Sequence, residues 1–141
     1  MSRPKISPLW LGILIGIPTL AALLLHSCSA DSHELTEFSE TYEKLHEAGD
    51  VEGILDLIEI QGHDPAVERQ VRRALSEETR WPIARTRFES LSPEETQTLS
   101  ASYPAPPQWR FLVTLDTEDH LTASWLVGET PEGIRLLLKG Q

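Results

Sequence analysis

The chain has 141 residues, with 12 Lys and Arg against 22 Asp and Glu, and a formal net charge of −10. Acidity of that size argues against holding nucleic acid or an anionic bilayer by charge, and a single cysteine excludes an internal disulfide. Residues 31–141 suffice for one domain that buries a core without staples, and are too few for two.

Residues 1–8 are basic, with Arg3 and Lys5 and no acid, and residues 9–25 carry no charge. A secretory signal needs an apolar run of about 7–15 residues and a spanning helix roughly 17–25, so this run stands at the border of the two. Pro18 lies inside it, and the next cation is Lys44. The positive-inside bias therefore keeps Met1 on the cytoplasmic side and sends the remainder across the membrane. The run closes on Leu25-His26-Ser27-Cys28, which resembles a bacterial lipobox. Leu25, Ser27 and Cys28 match; His26 stands where the family has a small or β-branched residue. The resemblance implies an acylated Cys28 as mature N-terminus, and Ser29 in place of Asp implies the outer membrane in a host that has one. Two other outcomes stay open: an uncleaved anchor, and cleavage after Ala30. In each case residues 1–30 are the address and residues 31–141 an extracytoplasmic domain.

Residues 33–48 predict a helix. Leu35, Phe38, Tyr42 and Leu45 recur at steps of three and four on one face, and Glu34, Glu37, Glu40, Glu43 and Glu47 lie mostly off it. The plain reading of this acidic face is a solvated surface; the functional one is a docking face for a basic protein partner. Gly49 and Asp50 suit a C-cap and the next N-cap. Residues 51–60 are apolar on most sides, which predicts a deeply buried second segment. Asp64 and Pro65 open a third helix with Val67, Val71, Ala74 and Leu75 inward.

The period then changes. Residues 81–89 alternate and predict a strand, with Pro82 suggesting an edge or first position. Ser92-Pro93-Glu94-Glu95 is a capping-box pattern opening a short helix to about Leu99, and residues 100–107 form a proline-rich connection. Trp109, Phe111, Val113 and Leu115 alternate with Arg110, Leu112, Thr114 and Asp116, and Leu121, Ala123, Trp125 and Val127 with Thr122, Ser124, Leu126 and Gly128. With turns at residues 116–119 and 130–133 and a last strand from Ile134, they predict an antiparallel meander. The expected fold is α+β, with about three helices on a four-stranded antiparallel sheet.

Helices first, then a proline-rich crossing and a meander, with residues 48–58 as the opening and residues 125–136 as the closing hairpin, resemble the nuclear transport factor 2-like and cystatin-like α+β cone. The resemblance implies a cone whose enzymes hold a carboxylate base and an oxyanion donor inside. No such pair matches residue by residue, so no catalytic residue carries over.

Chemistry in the sequence is sparse. His33 with Glu37, and His46 with Asp50, stand four apart, but no third metal ligand accompanies them, so neither a metal nor a cofactor is expected. His120 falls at a hairpin tip. Trp81, Trp109 and Trp125 are candidates to line a pocket for a small apolar ligand or a peptide, with plain core as the alternative. Arg85, Arg87 and Arg110 are candidate contacts for an acidic ligand, or partners of Glu89 and Asp116. The leading expectation is a membrane-tethered, non-catalytic binding module. The alternatives are an enzyme or ligand binder of the cone type, which would use a buried carboxylate or Tyr103, and a structural envelope protein docked through the acidic first helix.

Overall fold

The structure, a computed structural model, describes residues 32–140. The apolar run, Cys28 and the junction at Ala30 lie outside the described residues. Among the described residues, no helix is long and apolar enough to cross a membrane. The elements in order are α1 (Ser32–Glu47), α2 (Val51–Leu55), β1 (Ile58–Glu59), α3 (Pro65–Glu78), β2 (Ile83–Ser90), α4 (Pro93–Ser100), β3 (Trp109–Leu115), β4 (Thr122–Thr130) and β5 (Gly133–Leu137).

The helix ends follow from local chemistry. Gly49 turns the chain out of α1 at a φ of +66°, a conformation that costs a residue with a Cβ about 1–2 kcal/mol. The carboxylate of Asp50 accepts the Gly53 amide at 2.9 Å and opens α2. Asp64 does the same for α3 through the Ala66 amide at 2.7 Å, with Pro65 in the first turn. Ser92 and Glu95 exchange both bonds of a capping box at α4.

The sheet order is β1-β5-β4-β3-β2. Strands β2 to β5 pair antiparallel, with Phe88 beside Phe111 and Phe111 beside Trp125. The expectation of four antiparallel strands needs correction, because β1 adds a fifth, parallel to β5, with Ile58 beside Leu136. The sheet is therefore mixed, and with α4 there are four helices among the described residues. The cause lies in residues 51–60. The helix stops at Leu55, and the extended backbone beyond it docks, the Leu57 carbonyl accepting the Leu136 amide at 2.8 Å. All-round apolarity announces burial but does not separate a helix from a strand.

One face of the sheet carries the core. Phe38 and Tyr42 of α1 meet Phe111 edge-on at 5.8 and 5.2 Å, and Phe88 stacks on Phe111 at 4.7 Å. Ile54, Leu55, Ile58, Leu75, Trp109, Val113, Leu115, Val127 and Leu136 complete the buried cluster. Helix α1 runs antiparallel to β2: Phe38 lies by Phe88, then Ser39 and Glu43 bond Thr86, and Tyr42 reaches Glu78 at the end of α3. The start of α1 thus lies toward the Ser90 and Trp109 end of the sheet, and its finish toward the Ile83 and Leu115 end.

The second face is not simply wet. Leu112 and Leu137 are buried on it. The proline-rich segment seats over Gly128, where an added Cβ would come within 2.6 Å of the Pro106 carbonyl oxygen and 3.0 Å of Leu137 Cδ1. Strand β2 is an edge, entered through Pro82, with a register shift between Ile83 and Arg85.

Candidate functional site

The densest group of reactive side chains lies inside the core, where α1, α3 and β4 meet. Tyr42 and His46 are one helical turn apart on the inward face of α1, and both are buried. The Tyr42 hydroxyl donates to Glu78 Oε1 at 2.8 Å. His46 Nε2 stands 3.8 Å from the same oxygen, too far for a hydrogen bond. The indole N–H of Trp125 lies beside the Tyr42 hydroxyl without completing a bond to it. Burial first, and then the charge of Glu78, push the Tyr42 phenol well above its ordinary range. Burial also holds His46 below the usual imidazole value, outweighing the attraction of Glu78 and Glu47. A phenol that keeps its proton, an imidazole held toward its neutral form and the part-buried Glu78, 14% exposed, therefore share one site. Such a set can relay a proton only to a reactant that reaches it, and Tyr42 is 0% and His46 1% exposed.

The three tryptophans do not converge. Trp109 and Trp125 both face the core from neighbouring strands, Trp109 beside Val127 and Trp125 beside Phe111. Trp81 precedes β2 and is 50% exposed. Because Ile83 pairs with Leu115 and Ser90 with Trp109, Trp81 and Trp109 belong to opposite ends of the sheet, roughly 20 Å apart at about 3.3 Å per residue. Two of the three thus pack in the core and the third lies at the surface.

The three arginines do share a face. Arg85 lies opposite Thr114, Arg87 opposite Leu112 and Arg110 opposite Glu89. Arg87 pairs with Glu89 at 2.8 Å, and Arg110 faces Glu95 at 3.9 Å. The Ser92 amide holds the Glu95 carboxyl below the usual carboxylate range. Arg85 enters no ion pair among the described residues. A cleft of about 420 Å³ adjoins Arg110, lined by Ser92, Glu94, Glu95, Thr98 and Leu99; its two carboxylates make it a poor seat for an anion.

A second cleft of about 410 Å³ lies between Gln61–His63 and Ala101–Pro104, and Tyr103 lines it. His63 faces two carbonyl oxygens there, Ile60 through Nδ1 at 3.2 Å and Lys139 through Nε2 at 3.0 Å, which ties the segment after β1 to the segment after β5. His120 occupies the β3–β4 turn at a φ of 47°. Among the described residues no three His, Cys, Asp or Glu side chains gather as a metal site.

His46, which the sequence reading set with Asp50 four residues on, is instead buried in the core. Its spacing of four from Tyr42 and eight from Phe38 sets it on the buried stripe, and Asp50, its supposed neighbour, caps α2 instead. Glu78 carries no local signal, because its partner stands 36 residues away. Comparison with protein-family models, with curated proteins and with solved structures finds no match for this chain.

Proposed function

We propose that this chain is a membrane-tethered, extracytoplasmic binding module that works through its surface and carries out no reaction. The observation that carries the reading is the burial of the reactive set: Tyr42 and His46 lie in the core, and Glu78 beside them is only 14% exposed, while large apolar side chains remain outside. Catalysis asks for the opposite arrangement, a nucleophile or base open to substrate. The tether is Cys28, acylated after cleavage at the lipobox-like sequence. One acyl chain holds a membrane weakly and two or more hold it firmly, at about 0.8 kcal/mol per buried methylene. The acidic side of α1, with Glu34, Glu37 and Glu40 exposed, is one surface open to a basic protein.

Two measurements test this. The intact mass of protein recovered from its native membrane should begin at Cys28 with added acyl mass; a mass beginning at Met1 means an uncleaved anchor and removes the lipid tether. Purified full chain should give no turnover that Tyr42→Phe or His46→Gln abolishes. Such a turnover would favour a second reading, a cone-type enzyme, which the Tyr42–Glu78–His46 set alone supports.

A further inference from the structure

Two large apolar side chains are exposed among the described residues, Trp81 at 50% and Leu121 at 57%. They stand at the same end of the sheet. The Asp116 amide donates to the Pro82 carbonyl at 2.7 Å, and the Leu115 amide donates to the Leu121 carbonyl at 2.8 Å. Trp81 and Leu121 therefore flank the end of β3 on either side, within about two strand spacings, or ~10 Å of backbone separation. An isolated exposed apolar residue needs no explanation, but an exposed Trp and Leu at one end of a sheet with a polar border suit an interface, Trp being a favoured anchor.

The border is acidic. Asp116, Glu118 and Asp119 are exposed on the turn between the two apolar residues, and none of them forms an ion pair among the described residues. Of the nearby cations, Arg80 is held by Glu77 at 3.0 Å, and Arg85, opposite Thr114 and so close to Asp116, is a single positive charge against three acids. This end of the domain thus offers exposed apolar side chains with net negative charge around them.

We propose that the Trp81–Leu121 end docks a basic, amphipathic segment of a protein partner, apolar side chains against Trp81 and Leu121 and Lys or Arg toward Asp116, Glu118 and Asp119. This deepens the binding-module reading and rests on it. The bilayer is the wrong occupant on two grounds. An acidic rim is repelled by anionic headgroups, and the patch lies at the end of the sheet opposite the start of α1. Helix α1 begins four residues after Cys28 and runs toward the patch end for 16 residues, about 24 Å at 1.5 Å per residue. A second copy of this chain is also disfavoured, because it would bring two acidic turns together.

The test uses the full chain in its native membrane with p-benzoylphenylalanine installed singly at positions 81, 121, 37 and 40, followed by mass spectrometry of the adducts. The expected result is one protein partner crosslinked from positions 81 and 121 through a segment rich in Lys or Arg. That segment, made as a peptide, should bind the detergent-solubilised full chain, and Trp81→Ala should weaken binding about thirtyfold, the scale of an interface hot spot. Adducts at 81 and 121 that are lipid, an acidic segment or another copy of this chain overturn the proposal. Protein adducts at 37 and 40 with none at 81 and 121 overturn the site while leaving the binding-module reading intact. Adducts at no position overturn both.

Discussion

Gly128→Ala sets backbone propensity against tertiary contact. Within a strand, glycine is ordinarily the weaker residue, and replacing it by alanine gains about 0.5–1 kcal/mol. The structure predicts the opposite sign. A Cβ at Gly128 would sit 2.6 Å from the Pro106 carbonyl oxygen and 3.0 Å from Leu137 Cδ1, about 0.8 Å inside ordinary contact for the first pair. The Leu137 methyl can rotate away, but the Pro106 oxygen belongs to the backbone of a proline-rich segment that cannot easily bend. Overpacking of this kind costs about 1–3 kcal/mol, and a backbone clash this close belongs in the upper half of that range, so the net loss should be about 1–2.5 kcal/mol after the strand gain. Equilibrium urea denaturation of the full chain in mild detergent, followed by tryptophan fluorescence, would read this as a lower midpoint at unchanged slope. A variant as stable as the parent, or more so, would mean that the segment does not seat on the sheet as described.

Four further predictions rest on other contacts. Gly49→Ala meets no atom within 4 Å but must adopt a φ of +66°, so it should lose about 1–2 kcal/mol through conformation alone, measured in the same titration. Trp109→Ala should cost about 3–5 kcal/mol, because that ring is 7% exposed in the core, whereas Trp81→Ala should stay within about 0.5 kcal/mol; paired thermal melts decide this. Tyr42→Phe should cost about 1.5–3 kcal/mol by leaving the Glu78 carboxylate without its phenolic donor, as denaturation midpoints at pH 7.5 would report. His46 is held below its ordinary value by burial, so the folded state favours the neutral imidazole. Its contribution is therefore complete above pH ~6.5 and is lost as the pH falls through and below that value; midpoints at pH 7.5 and 5.5 should differ less in His46→Gln than in the parent.

Much of the fold could be read locally. The alternation of Trp109, Phe111, Val113 and Leu115, the glycine at 133 in the second turn, and the caps at Asp50, Asp64 and Ser92 are decisions made within a few residues, and the structure has them there. The pairing of Ile58 with Leu136 depends on chain nearly eighty positions away, and a two-residue strand has no period to detect. The site was less legible for a related reason. Alternation assigned Trp81 and Trp109 to strands without saying which end of the sheet each would occupy. Glu78 became part of a polar cluster only when α3 brought it to Tyr42. The arginines were simpler, because a shared face follows from period two once β2 and β3 are neighbours, and their acidic neighbours then pair two of them.

The parallel contact between β1 and β5 also sets an order of events. The first helices cannot close their core on a nascent N-terminal fragment: Phe38 and Tyr42 need Phe111, and Ile58 needs a strand that begins at Gly133. Contacts this distant in sequence make closure slow and late. Burial of Tyr42 and His46 under the finished sheet must therefore wait until β5 has been made, so the N-terminal helices spend the whole synthesis of the later strands with their apolar faces uncovered.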